Sequence, residues 1–207
     1  MQIEVYTGGL LETNAYYLPE AAVLIDAPQG IAAVVQERNW KVDWLFFTHG
    51  HFDHTWDGAK VKKMTQCRVG YHRADEPMFL QPDLWKRFGI EEKFETLTAD
   101  HYWEEGKVQR VGKFEFLLMH VPGHSPGSVC FYEAEKKVLF GGDVLFRGGV
   151  GRWDLPGGSQ EVLLTGIREK LLTLPDDVRV FPGHGPDTTI GHERATNAYL
   201  SDNFLSF

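Results

Sequence analysis

The segment Thr48 to His54 reads THGHFDH and places His49, His51, Asp53 and His54 within six residues, directly after the apolar run Trp44 to Phe47. All four side chains carry the nitrogen or carboxylate donors that hold divalent metals. In extended backbone, residues two apart point the same way. His49 and His51 can therefore grip one ion, while Asp53 and His54, beyond a turn, aim at a second. A polar surface loop would use Lys, Ser or Gly as readily as His, so the make-up of this loop favours metal binding.

An apolar strand that ends in Gly or Pro and then presents a single donor recurs three times downstream. Phe114 to Met119 runs into HVPGHSPG and His124, Lys137 to Phe140 into GGD and Asp143, and Val178 to Phe181 into PGHGP and His184. Strand ends of this kind emerge together at one sheet edge. The glycines beside them permit close backbone approach and positive φ. Imidazole nitrogen combined with carboxylate oxygen suits zinc, iron or manganese and disfavours magnesium or calcium.

The elements that must position these donors can be read from short apolar runs and their punctuation. Ile3 to Tyr6, Ala15 to Leu18 and Val23 to Ile25 predict strands joined by tight turns. Ile31, Val34 and Val35 recur at helical spacing within Gln29 to Arg38, and Trp44 to Thr48 follows as a strand. Asp57 to Lys63 predicts a short helix and Arg68 to Tyr71 a strand. Lys107 to Val111, Phe114 to Met119, Ser128 to Tyr132 and Lys137 to Phe140 form a second run of strands. A helix over Gln160 to Leu172, closed by Pro175, the strand Val178 to Phe181 and a terminal helix from Gly191 complete the chain. The pattern predicts two similar halves, each a sheet with helices on one face, whose sheets pack together. Between the halves, Asp75 to Thr98 carries Met78, Phe79, Leu80, Leu84, Trp85 and Phe88. Either it lies over a cleft or it is ordinary packing of two helices.

At 207 residues the chain is expected to form one domain over 1–207, long enough to bury roughly 70 to 75% of its unfolded surface. Hydrophobic residues at 43% and charged residues at 24% match globular usage. A formal charge of −8 has the wrong sign for a phosphate-binding surface, so nucleic acid is not an expected partner. The apolar runs fall far short of the roughly 20 residues that span a bilayer, so no membrane association is expected. MQIEVYTGGL shows no secretory leader, and Cys67 and Cys130 read as buried small hydrophobes rather than a bridge. A cytoplasmic setting is the expectation; the oligomeric state stays open.

The run HxHxDH from His49 to His54 resembles the signature of the metallo-β-lactamase superfamily. HVPGHSPGS, FGGDVLFRGGVGRWDLPGGS and FPGHGPDTTIGHERATN resemble its short glyoxalase II-like hydrolases. The resemblance spans nearly the whole chain. It implies an α+β fold, a four-layer αββα sandwich with the metal site at one edge of the two packed sheets. It further implies two divalent ions, most readily zinc, with iron or manganese as alternatives. His49, His51 and His124 would hold the first, Asp53, His54 and His184 the second, and Asp143 would bridge them. Two such ions would acidify a shared water near neutral pH and stabilise the oxyanion it generates. Asp53 would also orient that water. The implied activity is thioester hydrolysis of the glyoxalase II type, from S-2-hydroxyacylglutathione to 2-hydroxy acid and glutathione. A thiolate leaves readily, with a pKa near about 8.5.

Two other activities fit the same motifs. A mononuclear iron persulfide dioxygenase would use His49, His124 and Asp143, and that family shares a Gly-Arg-x-Asp loop like Gly151 to Asp154. A lactamase or lactonase is the third. The long glyoxalase II enzymes bind glutathione through a C-terminal helical extension, missing here after Phe207, and carry a tyrosine where this chain has Asp154. Arg152 is the expected contact for a substrate carboxylate, or else it pairs with Asp154. Arg147 reads as a solvated charge. His120 is expected to support the metal ligands by a hydrogen bond. His72, His101, His192, Glu193 and Arg194 read as scaffold.

Overall fold

A computed structural model of the chain describes residues 1–81 and 83–201. Pro82, within the Asp75 to Thr98 excursion, and the C-terminal residues ending at Phe207 lie outside them. The first half runs β1 (Glu4–Gly8), β2 (Thr13–Leu18), β3 (Val23–Ile25), α1 (Ile31–Glu37), β4 (Trp44–Phe46), α2 (Phe52–Thr55), α3 (Gly58–Thr65), β5 (Arg68–His72), α4 (Glu76–Leu80) and β6 (His101–Trp103). The second runs β7 (Val108–Val111), β8 (Phe114–His120), β9 (Val129–Glu133), β10 (Val138–Gly142), β11 (Leu145–Phe146), β12 (Gly149–Val150), α5 (Gln160–Gly166), β13 (Arg179–Pro182), β14 (Thr188–Thr189) and α6 (Ile190–Thr196).

β1 to β6 form one sheet in sequence order, antiparallel from β1 to β3 and parallel from β3 to β6. The second sheet is ordered β14-β13-β10-β9-β8-β7 and is antiparallel except for the parallel β10–β13 pair. β3 and β4 read VLI and WLF, apolar at every position, because both of their faces are covered. Successive side chains point to opposite faces. Val23, Ile25, Trp44 and Phe46 enter the core between the sheets, together with Phe116, Phe131 and Phe140 of the second sheet. Leu24 and Leu45 face the other way, onto Ile31 and Val35 of α1 and Val61 of α3. Behind the second sheet, Leu139 and Val180 pack on Leu163 and Leu164 of α5 and Ile190 of α6. The result is the expected αββα layering. Truncating a fully buried ring such as Phe131 to alanine costs about 3–5 kcal/mol.

The longer elements fall where the apolar periodicity places them. Four strands were not readable in that way: β6, β11, β12 and β14 are two or three residues long, too short to display a period of two. The expected helix over Gln160 to Leu172 is α-helical only to Gly166 and continues as a π-helical stretch, Ile167–Leu171. Cys67 packs behind the first sheet and Cys130 behind the second, so both thiols are buried and free. No helix among the described residues is long and apolar enough to cross a membrane.

Candidate metal centre

All seven expected donors meet where the strands of both sheets end. His49 follows β4, His51 caps the start of α2, and Asp53 and His54 lie on α2 itself. His124 sits in the β8–β9 loop, Asp143 directly after β10 and His184 just after β13. His49, His51 and His124 form one cluster whose donor atoms lie within 4.8 Å of one another. Asp53, His54 and His184 form a second, and Asp143 joins His49 and His54 between them. Close backbone approach at His184 requires Gly183, where a β-carbon would stand 2.0 Å from Asp143 Oδ1.

Four imidazoles have one nitrogen committed to the scaffold, which turns the other inward. His54 Nδ1 donates to Asp26 Oδ2 at 2.8 Å, His124 Nδ1 to the Arg152 carbonyl at 2.8 Å and His184 Nδ1 to the Leu11 carbonyl at 2.9 Å. The Thr48 hydroxyl donates to Asp26 and so accepts from His49 Nδ1, at 3.0 Å. Each Nε2 is left as the donor atom facing the centre. His49 Nε2 and His124 Nε2 are 3.2 Å apart, and His184 Nε2 lies 3.3 Å from both Asp53 Oδ2 and Asp143 Oδ2. His54 Nε2 and Asp143 Oδ1 face each other at 3.2 Å, shielded from water and without a formed hydrogen bond. A divalent cation, or a proton that it displaces, satisfies such a pair. The residues fit a two-ion site.

The electrostatics divide the two clusters. Burial and the neighbouring imidazoles hold His49 well below its ordinary value and bring His51 down to about 3. Burial opposes charge on His54 too, but Asp143, Asp53 and Asp26 outweigh it and raise that group well above its usual range. His184, also penalised by burial, is raised to about 10 by Asp143 and Asp53. Burial would neutralise both carboxyls, yet His54 and His184 pull Asp143 well below its ordinary value and Asp53 down to about 2. His49 and His51 thus offer neutral nitrogens, and the second cluster offers ionised carboxylates whose partner imidazoles must release protons to a metal.

Residues 8–184 match the family pattern of the metallo-beta-lactamase superfamily. The chain belongs to this superfamily. Hydroxyacylglutathione hydrolase GloC of Haemophilus influenzae is 39% identical over 169 residues, 81% of this chain and 80% of that protein. The crystal structure of the BLEG-1 B3 metallo-beta-lactamase is 34% identical with a TM-score of 0.89, covering 97% of this chain and 100% of that one. That of TTHA1623 in a di-iron-bound form is 38% identical with a TM-score of 0.84, covering 95% and 100%. The protein is a metallo-hydrolase of the superfamily, whose members bind divalent metals.

Several residues of this metallo-hydrolase hold the donors in place and were not singled out from the sequence. Buried Asp26 accepts from the Thr48 amide at 2.9 Å as well as from Thr48 Oγ1 and His54. It follows the apolar strand β3 at φ 60°, the same strand-then-acid pattern that marks Asp143. Buried Asp75 accepts from the Gly50 amide at 2.9 Å, the Gly127 amide at 2.6 Å and Ser125 Oγ at 2.7 Å, clamping the His49–His51 loop to the His124 loop. Asp75 follows β5 by three residues, but no Gly or Pro turn ends that strand to mark it. Thr13 Oγ1 donates to Asp53 Oδ2 at 2.7 Å, and Asn14 Nδ2 holds the carbonyls of Pro182 and Gly185 on either side of His184.

His120 touches no candidate ligand. Its Nε2 donates to the Pro126 carbonyl at 2.8 Å, bracing the loop that carries His124, and its ring stacks on His72 at 4.0 Å. Glu193 is scaffold: it lies in the first turn of α6, is fully buried and accepts from Thr188 Oγ1, the Gly148 amide and Asn197 Nδ2. Arg194 holds the carbonyls of Leu172 and Leu174. Arg147 is exposed. Arg152 forms a two-pronged pair with Asp154, at 2.7 and 2.8 Å.

The donors open into a cavity of about 670 Å³ whose walls include Leu11, Phe52, Trp85, Phe88, Ile90, Phe146, Leu155 and Arg152. The Asp75 to Thr98 excursion therefore reaches the cleft through Trp85 and Phe88. The Trp85 ring stands edge-on to His51 with centroids 5.5 Å apart. Met78 and Phe79 instead pack beneath Gly50 and Phe47.

Proposed function

We propose that this chain is a binuclear thioester hydrolase of the glyoxalase II type, converting S-2-hydroxyacylglutathione to a 2-hydroxy acid and glutathione. The observation that carries this reading is the pair of buried donor clusters joined by Asp143. His49, His51 and His124 would hold the first ion, Asp53, His54 and His184 the second, and Asp143 would serve both. Two bound divalent ions, zinc or iron or manganese, supply a nucleophile near neutral pH and a positive field for the developing oxyanion.

The chain's own residues do the rest. Asp53, fixed by the Thr13 hydroxyl, orients the attacking water as well as serving as a ligand. Trp85 and Phe52 limit water at one side of the ions, which strengthens every charge interaction inside. A departing thiolate, with a pKa near about 8.5, needs little proton donation, whereas an amide nitrogen does. Arg152, on the wall, offers its guanidinium to a carboxylate of the substrate in exchange for part of its pairing with Asp154. Similarity to GloC supports the choice of thioester. Two buried free thiols suit a cytoplasmic setting.

The test is the initial rate of S-lactoylglutathione hydrolysis by metal-replete protein, with bound metal counted on the same sample. Rapid turnover with two metals per chain is expected. No turnover with one bound iron would replace the reading by a persulfide dioxygenase built on His49, His124 and Asp143. Likeness to BLEG-1 favours a lactamase as the second reading; no thioester turnover with two metals and rapid opening of a chromogenic β-lactam would establish it.

A further inference from the structure

Beside the donors the cavity continues into a smaller recess of about 60 Å³, walled by Leu10, Leu11, Phe52, Trp56 and Ile90, with Asp53 at its edge. Leu11, Phe52, Asp53 and Ile90 line both spaces, so the recess opens directly onto the second donor cluster. Its walls come from four segments: the β1–β2 turn, Gln29 ahead of α1, α2 with the residue after it, and Ile90 within the Asp75 to Thr98 excursion. Leu10 is 88% exposed and Leu11 49% exposed. Together with Phe88, 42% exposed, they leave an apolar rim open to a ligand. Among the described residues, Arg152 is the one Lys or Arg on the wall of the main cavity, and Asp154 already holds it.

We propose that this recess selects the acyl half of the substrate and takes an uncharged, branched or aromatic group in preference to a methyl or a charged one. The inference rests on the thioesterase reading and narrows its substrate class. A phenyl ring that leaves water for Leu11, Phe52 and Ile90 gains the ordinary benefit of apolar burial. A carboxylate in the same place loses its hydration and finds, among the described residues, no Lys or Arg on the walls to pair with. The thiol carrier stays in the wider part of the cavity, where Arg152 lies.

Two thioesters that differ only in this group test the proposal: S-lactoylglutathione and S-mandeloylglutathione, methyl against phenyl on one carrier. The expected kcat/KM ratio favours mandeloyl by about tenfold. Ile90→Asp and Leu11→Asp, two independent changes at partly exposed positions, should each bring the ratio to about one. Val162→Ala, on the exposed face of α5, should leave it unchanged. A wild-type ratio at or below one, or a ratio that neither aspartate variant moves, overturns the proposal. Binding of mandelate against lactate to the metal-loaded protein, by calorimetry, reads the recess without turnover. If neither glutathione thioester is hydrolysed, the glyoxalase reading falls. Tighter mandelate binding that Ile90→Asp abolishes would then uphold the recess, and equal binding would remove it.

Discussion

The floor and the rim of the cavity are built by opposite means. On the floor, His49, His54 and His124 are no more than 3% exposed, and each imidazole is fixed by an acceptor chosen from Asp26, Thr48 or a backbone carbonyl. On the rim, Leu11 and Phe88 are 49% and 42% exposed, and the one fixed charge pair, Arg152–Asp154, stands in solvent. Buried polar groups without partners are costly, so His49, His54, His124 and His184 are each tied down by a second residue, and Asp53 by Thr13. Exposed apolar side chains carry no such demand and are free to vary with the substrate. Under the proposed function, the floor sets the chemistry and the rim the choice of substrate.

The largest test of that division is His51→Ala. It should lower kcat/KM by more than about a hundredfold and take metal content from two ions per chain toward one, with the circular dichroism spectrum retained. Near-native turnover would remove the metal mechanism altogether. Next in size, Asp75→Ala leaves the Gly50 and Gly127 amides and the Ser125 hydroxyl without their acceptor. Urea unfolding should show a loss of about 3 kcal/mol, with weaker metal retention against a chelator. If stability falls while metal affinity holds, the two loops do not depend on this clamp for their geometry. On the rim, Asp154→Ala releases the Arg152 guanidinium and should lower KM for carboxylate-bearing thioesters about threefold, while Arg152→Ala should raise it and leave kcat nearly unchanged. A KM that neither change moves would make the pair a brace for its loop.

The same division explains what the sequence reveals. The donors stand out because each loop that carries them follows an apolar strand, and a metal demands residue types that a surface loop does not. The layered fold follows from the same strands. Asp26 obeys the strand-then-acid pattern and was legible in principle. Asp75 was not, since its role exists only when the β4–α2 loop and the β8–β9 loop meet over it. The rim is least legible of all. Leu11, Phe52 and Ile90 lie far apart in sequence and carry no shared periodicity, so only the fold gathers them.

A half-buried pair, the stacked rings of His72 and His120, braces the segments that carry Asp75 and His124 from behind. His72 Nδ1 accepts from the Ala74 amide at 3.3 Å and so caps the turn Arg73–Asp75 that carries the Asp75 clamp. Burial, helped by His120 and opposed by Glu105, lowers His72 to about 4. Because this value lies below the unfolded one near 6.5, the unfolded chain takes up the proton first as pH falls. The contribution of His72 to stability is therefore present above about 6.5 and is lost between there and about 4. Solvent screening at a half-exposed site limits the loss to roughly 1 kcal/mol. Protonating Nδ1 also removes the acceptor that caps the turn, so the floor should loosen at its back while the rim is untouched. Urea unfolding at pH 7.5 and pH 5, compared with His72→Phe, reads this directly. The phenyl ring keeps the stacking but cannot titrate, so the variant should show the flatter pH dependence; equal slopes for the two proteins would place the titrating group elsewhere.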